Sequence, residues 1–596
     1  MSDELEGSRF PSWKTALVVA VPTAAVCIGV YIWYRRRKHA KLQQSPLSGT
    51  EAEKPAKSAQ PSVAGLTSST ISLGTTDKPN DEDSPAETPL AAARGSKNKG
   101  NKFFKAGKFR EAIEHYTEAL KICPSEEKED IAAFYQNRAA AYEQLSKKEV
   151  DEEDCLRQVV ENCTEALKLN PRYVKALQRR AKAAQRLKDF ELALRDLTAV
   201  CLLEGFKNPE PVQAADQVLK EVGRQKAKEA FRTRTKDLPS LLYISHFLDS
   251  FTSCTIDTPP TDNDNSDDSQ PGLPDYWEAV SLVANRQYEG VIDKCTTALD
   301  QGLASKLPDA LLLRGTFLLL KMELDQASED LKRVIEMENS GVNMKVNALL
   351  KRANIHLALD NEKLAQSDFE EAVKLNQRDP DVYFHRAQFN IARNRLEEAT
   401  NDFERVLSLN EDSIQAHVQL AYTQYKLAFV HQSMSKATEA IQQFEKACAK
   451  FPDSPEVCNV FAQVLLDKQE AGRAEEMFDK AIKLQPENPT SFVHKGLLLL
   501  QVHQNVEGCV GMIKKAMELD PKCDFAYETL AALEMQRGNV DQAIELFHKA
   551  TSLARSESEM AQTFSLIEAA KAQKRVTSEL GLAFAPHMGQ SPFGPQ

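Results

Sequence analysis

Residues 96–124 read SKNKGNKFFKAGKFREAIEHYTEALKICP. The spacing predicts a pair of antiparallel helices. Lys99, Gly100 and Phe103 fall on an inner helix, Ala112, Tyr116 and Ala119 on an outer one, and Pro124 stops it. The small residues Gly100, Ala112 and Ala119 stand where two helices must approach closely, and aromatics fill the space between. A helix pair of this size cannot bury its own apolar face, so neighbouring pairs must stack on it.

Those neighbours follow at once. FYQNRAAAY puts Asn137, Ala139 and Tyr142 on a second inner helix, and RQVVENCTEALKLNP supplies its outer helix, ending at Pro171. Between them KKEVDEEDCL is about eight residues longer than a standard repeat turn, and its acidic part, residues 149–156, is expected as a surface loop. A third pair places Ala181, Ala193 and Leu197 on the same pattern. A second run begins near Tyr276, with phases at Ala279/Val291, Gly315/Ala327, Ala353/Ala365, Ala387/Ala399, Ala421/Ala440, Ala462/Ala474, Gly496/Cys509 and Ala531/Ala543. Most of these pairs are twelve residues apart, and Ala421/Ala440 is stretched by seven, so residues 427–435 should extend a helix or loop. An ordinary helical bundle would not repeat its phase in this way. The pattern resembles the tetratricopeptide repeat, which implies an all-α superhelical solenoid.

The regions outside the repeats read differently. Thr15–Tyr34, TALVVAVPTAAVCIGVYIWY, carries no charge, and its twenty residues would rise roughly 30 Å, one bilayer core. Trp13 and Trp33 suit its interfaces, and Arg35, Arg36, Arg37, Lys38 and Lys41 follow it, so the bulk of the chain is expected on the cytosolic side of an N-terminal transmembrane anchor. A cleaved signal peptide would have a basic start and a shorter apolar run; residues 1–14 are slightly acidic. The expected order is then a non-cytosolic 1–14, a transmembrane helix 15–34, a basic flank and disordered tether 35–90 and a three-repeat domain 91–207. After it come connecting helices 208–251, a disordered linker 252–272, an eight-repeat domain 273–555, a capping helix 556–580 and a tail 581–596. Within 209–236 an apolar stripe (Val212, Ala215, Val218, Leu219, Val222) is backed by Lys220, Arg224, Lys226, Lys228 and Arg232, read as a solvated capping face with a lipid- or partner-facing patch as the alternative. Leu238–Phe251 is expected to pack between domains.

Composition narrows the function. A net charge of −12 spread along the chain argues against a nucleic-acid partner. Eleven cysteines are scattered without a CxxC pair, and Cys123, Cys163, Cys201, Cys295 and Cys448 read as buried, reduced thiols. Phosphate-loop, zinc-protease and dinucleotide motifs are absent, and no histidine has a plausible nucleophile or metal partner in the sequence. Neither an enzyme, nor a cofactor, nor a metal is expected.

Repeat phase places side chains on surfaces, because inner helices line the groove of such a solenoid. In the first run the groove positions are Lys97, Asn101, Asn137, Lys175 and Arg179: three cations and two carboxamides, with no groove carboxylate expected. Such a set suits a chain end carrying carboxylates, held by charge-assisted bonds, with the asparagines on the peptide backbone. In the second run the corresponding positions are mainly apolar: Leu312, Leu350, Phe384, Ile391, Tyr422, Tyr425, Leu466, Val493, Leu497 and Phe525. Glu456 and Asp467 lie among them, along with Asp309, Asp381 and Glu528. That groove suits a hydrophobic or basic amphipathic helix, unless superhelix closure or a capping helix buries it.

The five clamp residues, in KNKGN, YQNR and VKALQRR, resemble the two-carboxylate clamp of co-chaperone tetratricopeptide domains. The resemblance implies binding of the C-terminal Glu-Glu-Val-Asp of the 70- and 90-kDa heat-shock chaperones. With the anchor, tether and second run, and with stretches such as HKGLLLLQ and CDFAYETL, the whole chain resembles the tetratricopeptide preprotein receptors of the mitochondrial outer membrane translocase. That resemblance implies mitochondrial preproteins, including inner-membrane carriers, as clients and the other translocase subunits as partners. The acidic insertion and the C-terminal tail depart from the family pattern. A membrane-anchored co-chaperone or scaffold at the endoplasmic reticulum is the second reading.

Overall fold

The computed structural model describes residues 88–148, 151–253, 270–359 and 361–582. The expected transmembrane helix 15–34, the tether up to residue 87, most of the linker and the tail lie outside these residues. Among the described residues no helix is long and apolar enough to cross a membrane, and the secondary structure is helix throughout.

Contacts divide the described chain at Glu204/Gly205 into two compact units. The first contains α1 (Pro89–Lys105), α2 (Phe109–Ile122), α3 (Lys128–Leu145), α4 (Glu152–Leu169), α5 (Val174–Arg186) and α6 (Phe190–Leu203), packed in consecutive antiparallel pairs. The expected close approach is real. A Cβ on Gly100 would sit 2.7 Å from the Tyr116 ring, and Ala112 and Ala119 are fully buried beside it. Gly107 supplies the left-handed residue of the turn at φ +75°, where a Cβ would be strained. The acidic insertion is not a loop throughout. Glu152, Glu153 and Asp154 form the first turn of α4, and Cys155 and Leu156 are buried. Carboxylates at a helix N-terminus complement its dipole, and the two apolar residues behind them give the added turn a face to bury.

The second unit opens with α7 (Pro209–Thr233) and α8 (Leu241–Asp249). Pairs follow as α9 (Leu273–Ala284) with α10 (Val291–Asp300), α11 (Leu307–Leu320) with α12 (Leu324–Glu336), α13 (Val342–Ala358) with α14 (Glu362–Leu375), and α15 (Pro380–Ala392) with α16 (Leu396–Leu409). They continue as α17 (Ile414–Val430) with α18 (Met434–Lys450), α19 (Pro455–Asp467) with α20 (Ala471–Leu484), α21 (Pro489–His503) with α22 (Val506–Leu519), and α23 (Asp524–Gln536) with α24 (Val540–Leu553). The unit closes with α25 (Glu557–Leu580). Several inner helices start alike. Asp379, Ser454 and Asn488 cap α15, α19 and α21 through their side chains, each followed by proline at the first helical position, where its missing N–H costs nothing. The stretched phase at Ala421/Ala440 is absorbed by lengthening both helices: α17 and α18 each have 17 residues.

A second periodicity, not singled out in the sequence reading, locks inner helix to outer helix. Arg180, Arg314, Arg352 and Arg386 each make a two-pronged ion pair with the aspartate 16 residues later: Asp196, Asp330, Asp368 and Asp402, at 2.6–3.0 Å. The aspartates are buried. Each arginine directly precedes the small residue of the helix crossing, so the pair spans the point where the helices are closest.

Helix α7 packs along α25. A Cβ on Gly223 would fall on the Ala561 carbonyl and the Ser565 hydroxyl, and Ser565 donates to the Leu219 carbonyl at 2.9 Å. Gly223→Ala should therefore destabilise the chain by about 1–3 kcal/mol through overpacking, read as a lowered denaturation midpoint. Most of the basic face of α7 is paired as a solvated surface would be: Lys220 with Asp216, Arg224 with Glu221 and Lys226 with Glu568.

Leu238–Phe251 lies within the second unit and belongs to its core. Ile244 is buried, and Phe247 and Leu248 pack with it against Tyr276, Val280 and Leu313 of α9 and α11. The stripe 244, 247, 248 has helical spacing and finds apolar surface there. Thr252 and Ser253, expected in a disordered linker, donate to Asp381 at 2.7 and 2.8 Å, and the Ser253 hydroxyl donates to Asp379 at 2.6 Å. Phe251 stacks on His385 at 4.2 Å. Cys163, Cys201 and Cys295 are buried free thiols, pushed up to about 12 by burial, while Cys123 and Cys448 are only half-buried.

Candidate functional site: two inner faces

In the first unit the inner helices α1, α3 and α5 lie side by side. They carry Lys97 and Asn101, then Asn137, then Lys175 and Arg179. Lys175 is exposed, and the other four are half-buried. Asn101 accepts a hydrogen bond from the Tyr116 hydroxyl at 2.7 Å, which turns its carboxamide into a defined orientation. Near Lys97, Asp130 is held by Arg94 at 2.6 Å; the Arg94 hydrogen bond chiefly lowers its carboxyl below the usual value.

The expectation of a groove without carboxylates is corrected here. Glu143 of α3 accepts from Arg179 Nε at 2.7 Å. Repeat phase does not reveal this pairing, because Glu143 lies 36 residues before Arg179 and off the expected groove positions of its own helix. Arg179 Nη1 is buried and has no hydrogen-bond partner. Two turns further along α5, Arg186 is met by Glu152 of the insertion at 2.5 Å. Successive residues on a helix point about 100° apart, so Arg180 turns away and is consumed by Asp196 and Thr164. Neighbouring arginines thus serve separate ends, one the core and one the groove.

The second unit corrects the expected apolar groove. Leu312, Leu350, Tyr425 and Val493 are buried, at 8 % exposure or less. Phe384, Ile391, Tyr422, Leu466, Leu497 and Phe525 are half-buried and pack against the repeat cores. Leu312 and Leu350 lie in cores that Phe247 and Phe251 join, while Tyr425 and Val493 are buried by helices of their own and adjacent repeats. Asp381 is likewise spent on Thr252 and Ser253.

A cavity of about 1230 Å³ stays open, and a smaller one of about 470 Å³ is lined by Asp309 and Leu312 among others. Of the expected residues the larger is lined by Phe384 and Glu456. Its repeat side carries the carboxamides Gln388, Gln415, Gln419, Asn459, Gln463, Gln485 and Asn488 together with charged side chains, among them Lys321, Asp520, Lys522, Asp524, Lys549 and Arg555. The other wall is the 234–250 segment, with Leu242, Tyr243, His246 and Phe247. Lys522 donates to the Leu238 carbonyl at 2.7 Å and Arg555 to the Leu320 carbonyl at 2.9 Å, while the Arg555 guanidinium covers the Tyr243 ring. Asn459 Oδ1 is buried without a partner. Burial raises the carboxyls of Glu456 and Asp467, the latter to about 8, and Glu528 rises to about 7 mainly for the same reason.

Asp467 gives a pH prediction. Its folded value lies above the ordinary carboxylate value near 4, so the folded chain binds this proton more tightly than the unfolded chain. Its contribution is intact at low pH and is lost as pH rises from about 4 through about 8. Asp467→Asn should raise unfolding free energy by about 1–3 kcal/mol at pH 8 and change it little at pH 4, as read by chemical denaturation at both values.

No group of three or more metal-ligating side chains occurs among the described residues. Fold and inner faces define a tetratricopeptide-repeat binding protein. Models of the tetratricopeptide repeat match residues 93–126, 350–414, 422–454 and 455–488. The chain is 38 % identical over 585 residues to the human mitochondrial import receptor subunit TOM70, covering 96 % of this chain and 93 % of that protein. It is 29 % identical over 554 residues to the Saccharomyces cerevisiae protein of the same name, covering 86 % and 85 %. The crystal structure of yeast Tom70 aligns with 82 % of this chain and 98 % of that one, at 29 % identity and a TM-score of 0.46. The chain belongs to the TOM70 family of mitochondrial import receptor subunits. It is a binding protein, not an enzyme.

Proposed function

We propose that this protein is a preprotein receptor of the mitochondrial outer membrane. In this reading it is anchored by residues 15–34 with its bulk in the cytosol, and it docks 70- and 90-kDa heat-shock chaperones in the first unit and preproteins in the second. Family membership supports the import role. The observation that carries chaperone docking is Arg179 Nη1, buried and unpartnered, on the face that also holds Lys97, Asn101, Asn137 and Lys175. A carboxylate oxygen is the partner this donor set favours, because charge-assisted bonds are strong and an unmade buried one is costly.

For the client, the cavity between α8 and the repeats is the site. Its volume matches on the order of ten helical residues. The apolar face of an amphipathic segment meets Tyr243, Phe247 and Phe384, and its donors or cations meet Glu456 and the carboxamides. Two binding events on one tethered chain raise the effective concentration of client while the chaperone is docked. Transfer to the translocase pore follows from the family role.

The test has two arms. The full-length protein in membranes is titrated with a peptide ending Glu-Glu-Val-Asp and with the same peptide as a C-terminal amide. Binding of the free acid but not of the amide is expected, and equal binding of both would overturn the clamp. Protease added to intact mitochondria should remove the repeats; protection would overturn the orientation.

A further inference from the structure

We propose that Glu143 is a positioning residue of the clamp: it grips the Nε edge of Arg179, so that the guanidinium is already fixed in place, with Nη1 still unpaired, when a chain-end carboxylate arrives. This rests on the clamp reading above.

The contrast between two adjacent arginines carries it. Arg180 has its three nitrogens engaged, with Asp196 at 2.6 and 2.8 Å and Thr164 at 2.9 Å. Arg179 is held by one nitrogen, at 2.7 Å, while its buried Nη1 has no partner. Both Arg179 and Glu143 keep about a fifth of their side-chain surface, 20 % and 22 %, so the pair stands at the groove wall and not in the core. A free arginine would lose rotamer freedom on binding; one already fixed does not. Glu143 has a second, opposing effect, because its charge repels an incoming carboxylate.

The two effects separate by substitution. Glu143→Gln keeps an acceptor for Nε and removes the charge. Glu143→Ala removes both. Full-length protein is titrated with the Glu-Glu-Val-Asp peptide, with thermal unfolding measured for every variant. Glu143→Gln should bind at least as tightly as the parent, and about three- to tenfold tighter than Glu143→Ala. In an Arg179→Ala background the two substitutions should become equivalent, since nothing is left to position. Equal affinity of Glu143→Gln and Glu143→Ala in the parent background would overturn the proposal. So would a gap that persists without Arg179, which would mark Glu143 as a packing residue. A parent that does not bind the peptide would instead overturn the clamp itself, a different result from either of these.

Discussion

Arg179→Ala should weaken binding of a Glu-Glu-Val-Asp peptide by about 2–5 kcal/mol, thirtyfold or more, while leaving the fold intact. The loss comes from removing the group whose Nη1 lies buried and unmade in the free protein. Among the described residues its hydrogen-bond partner is Glu143, which keeps 22 % of its side-chain surface and can take up water once the cation is gone. Alanine is at least as good a helix former as arginine, so α5 should persist. Arg179→Lys should also bind poorly, because a single ammonium cannot serve Glu143 and a peptide carboxylate in the same fork geometry. Isothermal titration with the peptide, beside a thermal melt, checks both statements. Client binding in the second unit should survive. Peptide affinity equal to the parent's would remove Arg179 from the clamp.

Asp196→Ala should act through stability. It should cost about 3–5 kcal/mol, because Arg180 is left as an uncompensated buried charge. Asp196 is 1 % exposed and Arg180 6 %, so neither can recruit water without opening the α5–α6 crossing. Repeats are stabilised by their neighbours, so loosening this pair should loosen α5 as a whole and carry the clamp with it. Peptide binding should fall together with the melting temperature, whereas for Arg179→Ala it falls alone. The double substitution Arg180→Met with Asp196→Leu should recover most of the stability, since an apolar pair of similar volume avoids the desolvation cost. If the single substitution melts like the parent, the ion pair is not what holds these helices.

Much of this architecture was legible in the residues. Gly100, Ala112 and Ala119 marked a helix crossing because only small side chains fit one, and Gly100 indeed lies against the Tyr116 ring. The arginine–aspartate spacing of 16 was equally visible at Arg314/Asp330, Arg352/Asp368 and Arg386/Asp402, and would have strengthened the phase. The acidic insertion misled because its charge suggested a loop; Cys155 and Leu156 behind it were the signal that the helix continues.

The five expected clamp residues stay half-buried or exposed on inner helices, whereas many of the expected apolar groove residues are buried, and one physical reason separates them. Lys97, Asn101, Asn137, Lys175 and Arg179 are set by phase within their own repeats, and local phase is written in a 34-residue pattern. Whether Leu350 or Val493 faces a groove or a core depends on what packs against it: Phe251, from outside the repeats, joins the core of Leu350, and the following helices α22 and α23 bury Val493. Here 238–251 comes from outside the repeat pattern and packs against the inner helices. Repeat phase also says nothing of partners across the groove, so Glu143 met Arg179 only in the folded chain. The sequence by itself determined the repeats and which side chains share a face. Tertiary structure alone decided which of those faces stay open and which charges are already taken, because burial and pairing belong to surfaces brought together from distant parts of the chain.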